Sequence, residues 1–195
     1  MNKSLSEIIY LSFCKLRTLF VVPSARIIRF PIDLRGKKYI DFGKNVTTGY
    51  HCRLEAYPIE NDKSKILTFG DNVQINDFVH IAAAKKIEIG NNVLIASKIF
   101  ISDICHGEYD DFENMSAPNE HPNDRKLSVK PVTVHDDVWI GEMVSILPGV
   151  EIGKGAIIGA NSVVTKSVPE YSIAVGNPAK VIKRYNFETK RWEKV

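Results

Sequence analysis

The sequence has few of the residues that mark several common protein classes. Its three cysteines, Cys14, Cys52 and Cys105, are too scattered to form a zinc-ligand spacing, and they give no disulfide framework. Cysteines used in this way are typical of a reducing compartment, which predicts a cytoplasmic location. The 26 basic and 23 acidic residues leave a net charge of only +3, so we expect no nucleic-acid partner.

Long hydrophobic runs are also missing. The stretch from Leu5 to Phe20 follows a roughly helical period, but Glu7, Lys15 and Arg17 interrupt it, and no run reaches the ~20 residues of a membrane span. The stretch also lacks the basic start and the cleavage site of a signal peptide. We expect a short helix that caps the fold, with peripheral contact to the inner face of a membrane as the alternative.

The sequence does contain an aliphatic residue at every sixth position between Val134 and Val168. A second small or branched residue follows four places behind each one, and neither an α-helix nor an ordinary strand produces this period. A chain that coils around a prism does, because each short side places the same pair inward. The leading residues are Val134, Ile140, Ile146, Ile152, Ile158 and Val164, and the trailing residues are Val138, Val144, Val150, Ala156, Ser162 and Val168.

This period predicts an all-β fold, a parallel β-helix over residues 66–185. Upstream the same rhythm is less regular, slips by two residues after Ile81, and stops after Ile101. Residues 103–131 are polar and have no period, which is typical of a functional loop that protrudes from a regular scaffold. We expect residues 1–65 to hold the N-terminal helix and a leading segment, and residues 186–195 to end a basic tail for which a helix is one candidate conformation.

His106 differs from the other four histidines because it opens the polar loop directly after a regular coil. An imidazole with a pKa near neutrality suits the removal of a proton from a hydroxyl group. Asp103, Glu108 and Asp110 are candidates for orienting its ring. Cys105 falls on a trailing position of the repeat, so we expect its thiol to point inward.

Four motifs in the second half of the chain carry a specific resemblance. They are Val138-Trp139-Ile140-Gly141, Ile146-Leu147-Pro148-Gly149-Val150, the run from Ile158 to Lys166, and Gly176-Asn177-Pro178-Ala179. Over about residues 69–184 the chain resembles the hexapeptide-repeat acetyltransferases: the galactoside and maltose enzymes, the streptogramin enzymes and the O-acetyltransferases of bacterial surface polysaccharides. The resemblance implies a left-handed parallel β-helix, a homotrimer, and acetyl-CoA bound between subunits, with no metal.

The resemblance also implies roles for individual residues. His106 corresponds to the catalytic histidine and Asn76 to a residue that holds the acceptor sugar, and Asp103 and Tyr109 are further candidates for substrate binding. An acceptor-binding aspartate of the galactoside enzymes is Ala84 here, which leaves the acceptor open. The implied acetyl-CoA contacts are Trp139, Glu142, Ala160, Thr165, Lys166, Lys180 and Lys183.

The implied reaction is direct acetyl transfer to a sugar hydroxyl, with His106 as general base. The closing motif and the tail favour a sugar of a bacterial surface polysaccharide, an O-antigen or capsule, or its precursor. A xenobiotic acceptor is the alternative within the family. Residues 1–65 are too few for the helical domain of serine acetyltransferases or the nucleotide-binding domain of two-domain amino-sugar enzymes.

Two hypotheses lie outside this family. A γ-class carbonic anhydrase would use the same fold and hold zinc through three histidines, of which His80 and His106 could be two, but the residue five positions after His106 is Asp111. A non-catalytic solenoid would have little use for a loop that begins at a histidine.

Overall fold

The computed structural model describes residues 4–59 and 63–195 as one helix, one 3-10 turn and 22 short strands. The helix α1 is Leu5–Val21 and the turn is Lys37–Tyr39. The first eleven strands are β1 (Ile27–Ile28), β2 (Ile32–Arg35), β3 (Ile40–Phe42), β4 (Thr47–Thr48), β5 (Cys52–Ala56), β6 (Leu67–Phe69), β7 (Gln74–Ile75), β8 (His80–Ala83), β9 (Ile87–Ile89), β10 (Leu94–Ile95) and β11 (Phe100–Ser102). The others are β12 (Ile104–His106), β13 (Leu127–Val129), β14 (Val132–Val134), β15 (Trp139–Ile140), β16 (Ser145–Ile146), β17 (Glu151–Ile152), β18 (Ile157–Ile158), β19 (Val163–Val164), β20 (Ser172–Gly176), β21 (Ala179–Asn186) and β22 (Arg191–Lys194).

The chain visits three parallel sheets in rotation. Sheet A has the order β1-β4-β7-β10-β15-β18-β20, sheet B has β2-β5-β8-β11-β16-β19, and sheet C has β3-β6-β9-β14-β17. Neighbours within each sheet are parallel strands from successive circuits of the chain, so one circuit stacks on the next. Two antiparallel strands, β21 and β22, extend sheet A beyond β20.

The period of six sets which side chains enter the core. All twelve leading and trailing residues between Val134 and Val168 are buried, as the sequence predicts. In sheet A, Ile75, Ile95, Ile140 and Ile158 are cross-strand partners and are fully buried. Burial of one such side chain contributes roughly 1.5–3 kcal/mol, so this inner column stabilises every circuit that it crosses.

A ladder of polar side chains ties the corner between sheets C and A. Asn45 Nδ2 donates to Asn72 Oδ1 at 3.3 Å, Asn72 Nδ2 to Asn92 Oδ1 at 3.1 Å, and Asn92 Nδ2 to Asp137 Oδ1 at 3.0 Å. All four residues have φ between 56° and 62°, a left-handed conformation that Asn and Asp tolerate better than most residues. These Asn and Asp residues therefore both form the turn and join neighbouring coils.

The corner between sheets B and C is where the coils lengthen. Inward residues of β16 and β17, Ile146 and Ile152, are six positions apart. The corresponding spacing is 15 from Leu54 to Phe69, 8 from Ile81 to Ile89, and 33 from Ile101 to Val134. The predicted slip after Ile81 and the predicted loop 103–131 are therefore successive insertions at one corner.

The helix packs on β1 through a few polar contacts. Ser4 Oγ caps its start by accepting from Glu7 N at 3.2 Å. Buried Thr18 donates to Cys14 O at 2.7 Å and accepts from Ile28 N at 2.8 Å. Tyr10 Oη donates to Phe30 O at 2.7 Å, and burial raises the pKa of Tyr10 to about 12. No helix of the described residues is long and apolar enough to cross a membrane.

The leading segment and the C-terminal tail both contribute strands to the sheets. The leading segment 1–65 already contains β1 to β5, so the sheets begin at Ile27; its residues 1–3 and 60–62 lie outside the described residues. The C-terminal tail is not helical, because β21 and β22 add to the free edge of sheet A by backbone hydrogen bonds. Trp192 packs edge-to-face on Tyr185 across this pair, at 5.3 Å between ring centroids.

Candidate active site

His106 lies at the end of β12, in a two-stranded antiparallel ribbon with β13. This ribbon leaves the corner between sheets B and C and forms the base of the loop 103–131. His106 is paired with Leu127 and is exposed. No hydrogen bond or ion pair engages its ring among residues 4–59 and 63–195, so both ring nitrogens are available to a ligand. Cys105 is also exposed, contrary to the prediction, because the chain has left the coil before it reaches this residue.

The backbone of His106 is held by the loop that follows it. Tyr109 Oη donates to His106 O at 2.7 Å, and Arg125 Nη1 donates to the same hydroxyl at 2.9 Å. Arg125 in turn donates to Glu120 O from Nε at 3.2 Å and from Nη2 at 3.1 Å. Tyr109, a predicted substrate contact, thus fixes the position of His106 in this chain.

The carboxylates near His106 have other partners. Glu108 accepts hydrogen bonds from Ser128 Oγ at 2.6 Å and from the backbone of Tyr109 and Asp110. The Ser128 hydroxyl, together with these N–H groups, lowers the pKa of Glu108 to about 2. Asp110 forms an ion pair with Lys130. Neither carboxylate contacts the His106 ring, so neither orients it in this structure.

Asp103 is a fully buried carboxylate at the start of the loop. It accepts hydrogen bonds from the backbone N–H groups of Ala84, Lys85 and Lys86 at 2.7, 2.8 and 2.6 Å. These three residues form the extended corner of the preceding circuit. The predicted substrate-binding role of Asp103 does not fit this geometry, because the carboxylate is sealed from solvent and joins two insertions.

Three of the predicted coenzyme residues lie on the outer face of sheet A. Cross-strand partners run Trp139–Ile157–Ile173–Lys183, and the Trp139 side chain is half exposed. Strands lie about 4.8 Å apart, so Trp139 and Lys183 are about 14 Å apart along the column. The register of β21 shifts between its pairs with Ile173 and Ala174 and skips Ile182, so Lys180 and Lys183 face the same side.

The remaining predicted residues lie at two corners. Asn76, Glu142 and Ala160 are at the corner between sheets A and B, where Asn161 N donates to Glu142 O at 2.8 Å and so stacks the two circuits. Thr165 and Lys166 are exposed and follow β19 at the corner between sheets B and C.

The predicted site residues therefore lie in separate places on one chain. One chain presents His106 on a ribbon between sheets B and C, and presents Trp139 and the lysines on sheet A. These groups do not form one cleft within a single chain.

His80, one of the two histidines of the metal hypothesis, has another partner. His80 Nε2 lies 2.9 Å from Glu55 Oε2, and this carboxylate also accepts from Arg35 and Arg53. Within the described ranges, no group of three or more His, Cys, Asp or Glu side chains is arranged to hold a metal ion. The contacts that sequence reasoning missed are those of Arg125, Ser128 and Lys130, because the loop has no period from which their register could be inferred.

Comparisons with known proteins identify the chain's relatives. A family model described as bacterial transferase hexapeptide (six repeats) matches residues 131–166. The "Putative lipopolysaccharide biosynthesis O-acetyl transferase WbbJ" of Escherichia coli (strain K12) is 47% identical over 171 residues, which is 88% of this chain and 85% of that protein.

Two solved structures are similar in fold. The N-acyltransferase AntD from Bacillus cereus, in complex with dTDP and 3-hydroxybutyryl-CoA, has a TM-score of 0.68 at 22% identity, covering 85% of this chain and 82% of that chain. At this identity the likeness shows the fold alone. A galactoside acetyltransferase in complex with coenzyme A has a TM-score of 0.50 at 25% identity, covering 80% of this chain and 72% of that chain.

The role of Asp103 can be tested by substitution. We expect Asp103→Ala to destabilise the protein by about 3 kcal/mol or more, because three backbone N–H groups, that of Ala84 buried, lose a carboxylate acceptor. Thermal unfolding and amide hydrogen exchange at Ala84, Lys85 and Lys86 measure this effect. Asp110→Ala, which removes an exposed ion pair, is the control and should change the free energy of unfolding by less than ~1 kcal/mol. Unchanged exchange at the three amides would contradict the structural role.

Proposed function

Because the chain belongs to the hexapeptide-repeat acetyltransferases, we propose that it transfers the acetyl group of acetyl-CoA to a sugar hydroxyl of a surface polysaccharide or its precursor. The observation that carries the proposal is the imidazole of His106, which has no hydrogen bond or ion pair within the described part of the chain and lies on a braced ribbon of this fold. The name of the Escherichia coli relative supports O-acetylation in lipopolysaccharide synthesis. The three cysteines form no disulfide, which agrees with a cytoplasmic location.

We further propose that the three sheets close into a left-handed parallel β-helix. The rotation from sheet A to B to C supports closure, as does the single cluster of buried residues drawn from all three sheets. Membership in the family supports the left hand.

In this proposal His106 is the general base. Its imidazole takes the proton of an acceptor hydroxyl as that oxygen attacks the thioester carbonyl, and the C–S bond then breaks. The imidazolium returns the proton to the departing thiolate, so the products are the acetyl ester and the free thiol. Tyr109 and Arg125 keep the imidazole in position through the backbone of His106.

The outer face of sheet A suits the coenzyme. The half-exposed indole of Trp139 offers a flat apolar surface for a flexible pantetheine arm. Lys180 and Lys183 are on the same face and supply positive charge for nucleotide phosphates. Each lysine acts there as a point charge without the fork of arginine.

The division of these groups between two faces supports a homotrimer. In a cyclic assembly, sheet A of one subunit can face the ribbon of its neighbour, so that each interface contains one His106 and one Trp139. The site would then be completed only by association.

We also propose that α1 rests on a membrane surface. Seven large apolar side chains of the helix are 49–80% exposed, at the three- and four-residue spacing of one helix face; they are Leu5, Ile8, Ile9, Phe13, Leu16, Leu19 and Phe20. Contiguous exposed apolar surface of this kind marks an interaction site. Lys15, Arg26 and Arg29 line the groove beside the helix, and basic residues at such an edge attract anionic headgroups.

The first test is the turnover of His106→Ala. We expect release of coenzyme A thiol in the presence of a panel of sugars, nucleotide sugars and oligosaccharides to fall by about two to four orders of magnitude, because the general base is lost. His121→Ala removes an exposed histidine of the same loop and should leave turnover near that of the parent. Near-normal turnover of the His106 variant would refute the assignment.

A second test asks whether the site lies between subunits. His106→Ala and Trp139→Ala chains, each nearly inactive alone at low acetyl-CoA, are coexpressed with different tags. Random mixing leaves about a quarter of the interfaces with both native residues, so activity should return to about that fraction. Mixed trimers no more active than the parents would mean that both residues serve the same chain.

The membrane contact can be measured by cosedimentation with phosphatidylglycerol vesicles. We expect the double variant Phe13→Ser and Phe20→Ser to lose most vesicle binding, because two apolar anchors are removed. Phe112→Ser removes a Phe that is 90% exposed in the loop and is the matched control. Vesicle binding of the α1 variant equal to that of the parent would contradict the membrane contact. A change in the oligomeric state of the α1 variant alone would instead indicate that the helix contacts another copy.

A further inference from the structure

A cavity of about 350 Å³ lies where the insertions between sheets B and C meet. Each of three successive circuits contributes to its wall: Ile59 from the first insertion, Ala84 from the second, and Val129 and Pro131 from the third. Asp103, at the start of the third insertion, accepts hydrogen bonds from the backbone of the second and so joins the two insertions. The cavity is therefore a product of the three insertions and not a gap in the regular coil.

The cavity and His106 lie on the same face of the β12–β13 ribbon. Ile104 is paired with Val129 and His106 with Leu127, and residues two apart on a strand point to the same side. Val129 lines the cavity, so the His106 side chain is on the cavity side, about 7 Å further along the ribbon. The imidazole thus lies on the cavity side of the ribbon, one same-face pair beyond Val129.

The rim of the cavity is positively charged. Lys65, Lys85 and Lys86 line it, and among the lining residues that the structure describes none is acidic. Lys65 Nζ donates to the carbonyls of Lys38 and Ile40 at 2.9 and 3.2 Å, and Lys86 Nζ forms an ion pair with Glu88 Oε1 at 3.1 Å. Within the described part of the chain, the Lys85 ammonium has no hydrogen bond or ion pair.

Three carboxylates near the ribbon, those of Asp103, Glu108 and Asp110, have partners away from the cavity. Glu108 bonds to Ser128 and Asp110 pairs with Lys130, which follow the alternation of the ribbon to the face opposite Val129. Asp103 is fully buried and turned to three backbone N–H groups. These three carboxylates therefore do not neutralise the lysines at the cavity.

We propose that this cavity binds an anionic group of the acceptor, a phosphate or a carboxylate, and so places a sugar hydroxyl beside His106. This rests on the proposed function and narrows its acceptor to acidic sugars. The apolar wall from Ile59, Val129 and Pro131 contacts the faces of the sugar ring, and the lysines at the rim contact the anion.

Saturation-transfer NMR on the intact protein tests the cavity without turnover. The probes are a hexose 1-phosphate, the corresponding hexuronic acid and the neutral methyl hexoside. We expect transfer to at least one acidic probe, little transfer to the methyl hexoside, and loss of the acidic signal in Lys85→Glu. Whether the phosphate or the carboxylate gives the signal identifies the source of the anion. Lys154→Glu, a charge reversal of an exposed lysine distant from the cavity lining, is the control and should bind like the parent.

Acetyl transfer provides the second measurement. For the acidic probe that binds, Lys85→Glu should lower kcat/KM at least tenfold, while Lys154→Glu should leave it near the value of the parent. Equal binding of acidic and neutral probes, or an acidic signal that survives in Lys85→Glu, would overturn the inference. If no acceptor is acetylated but acidic probes still bind in a Lys85-dependent way, the cavity assignment stands and the proposed acetyl transfer is what fails.

Discussion

A chain that stacks nearly identical coils can interrupt itself only at a corner. The inward pairs along each sheet are in register with those of the next circuit, and an extra residue within a strand would turn the core side chain outward. An insertion at a corner changes no pairing, because its ends return to the same two strands. This constraint explains why a 33-residue interval between Ile101 and Val134 leaves the sheets intact.

The insertions are themselves organised by one buried charge. Asp103 occupies the first residue of the longest insertion, and its three acceptor contacts fix the corner of the circuit before it. The ribbon that carries His106 therefore starts from a braced point. Beyond it, Tyr109 and Arg125 restrain the same backbone from the loop side. Contacts on both sides of His106 thus restrain its backbone, although the loop is polar and has no sequence period.

The regular part of this architecture was predictable because it depends on a local period. Phe69 to Ile101 and Val134 to Val168 enter the core as the spacing of six requires. The period says nothing about contacts between distant residues, so it gave no sign that Asp103 binds the backbone where the rhythm slips after Ile81. It also misplaced Cys105, which is exposed. The tail was misjudged because its conformation depends on a free sheet edge beyond β20, which is a tertiary property. His106 was singled out by its position at the start of the loop, whereas the coenzyme residues were named from resemblance. Their division between two faces became visible only with the sheets in place.

Concentration of the insertions at one corner separates two kinds of change. Loops between sheets B and C can be exchanged, lengthened or recharged without altering sheet A, whose outer face carries Trp139 and the two lysines. A lineage could in this way keep its acetyl donor while its loops evolve to bind new partners, because the folding of the coils and the binding of the shared co-substrate would not have to change.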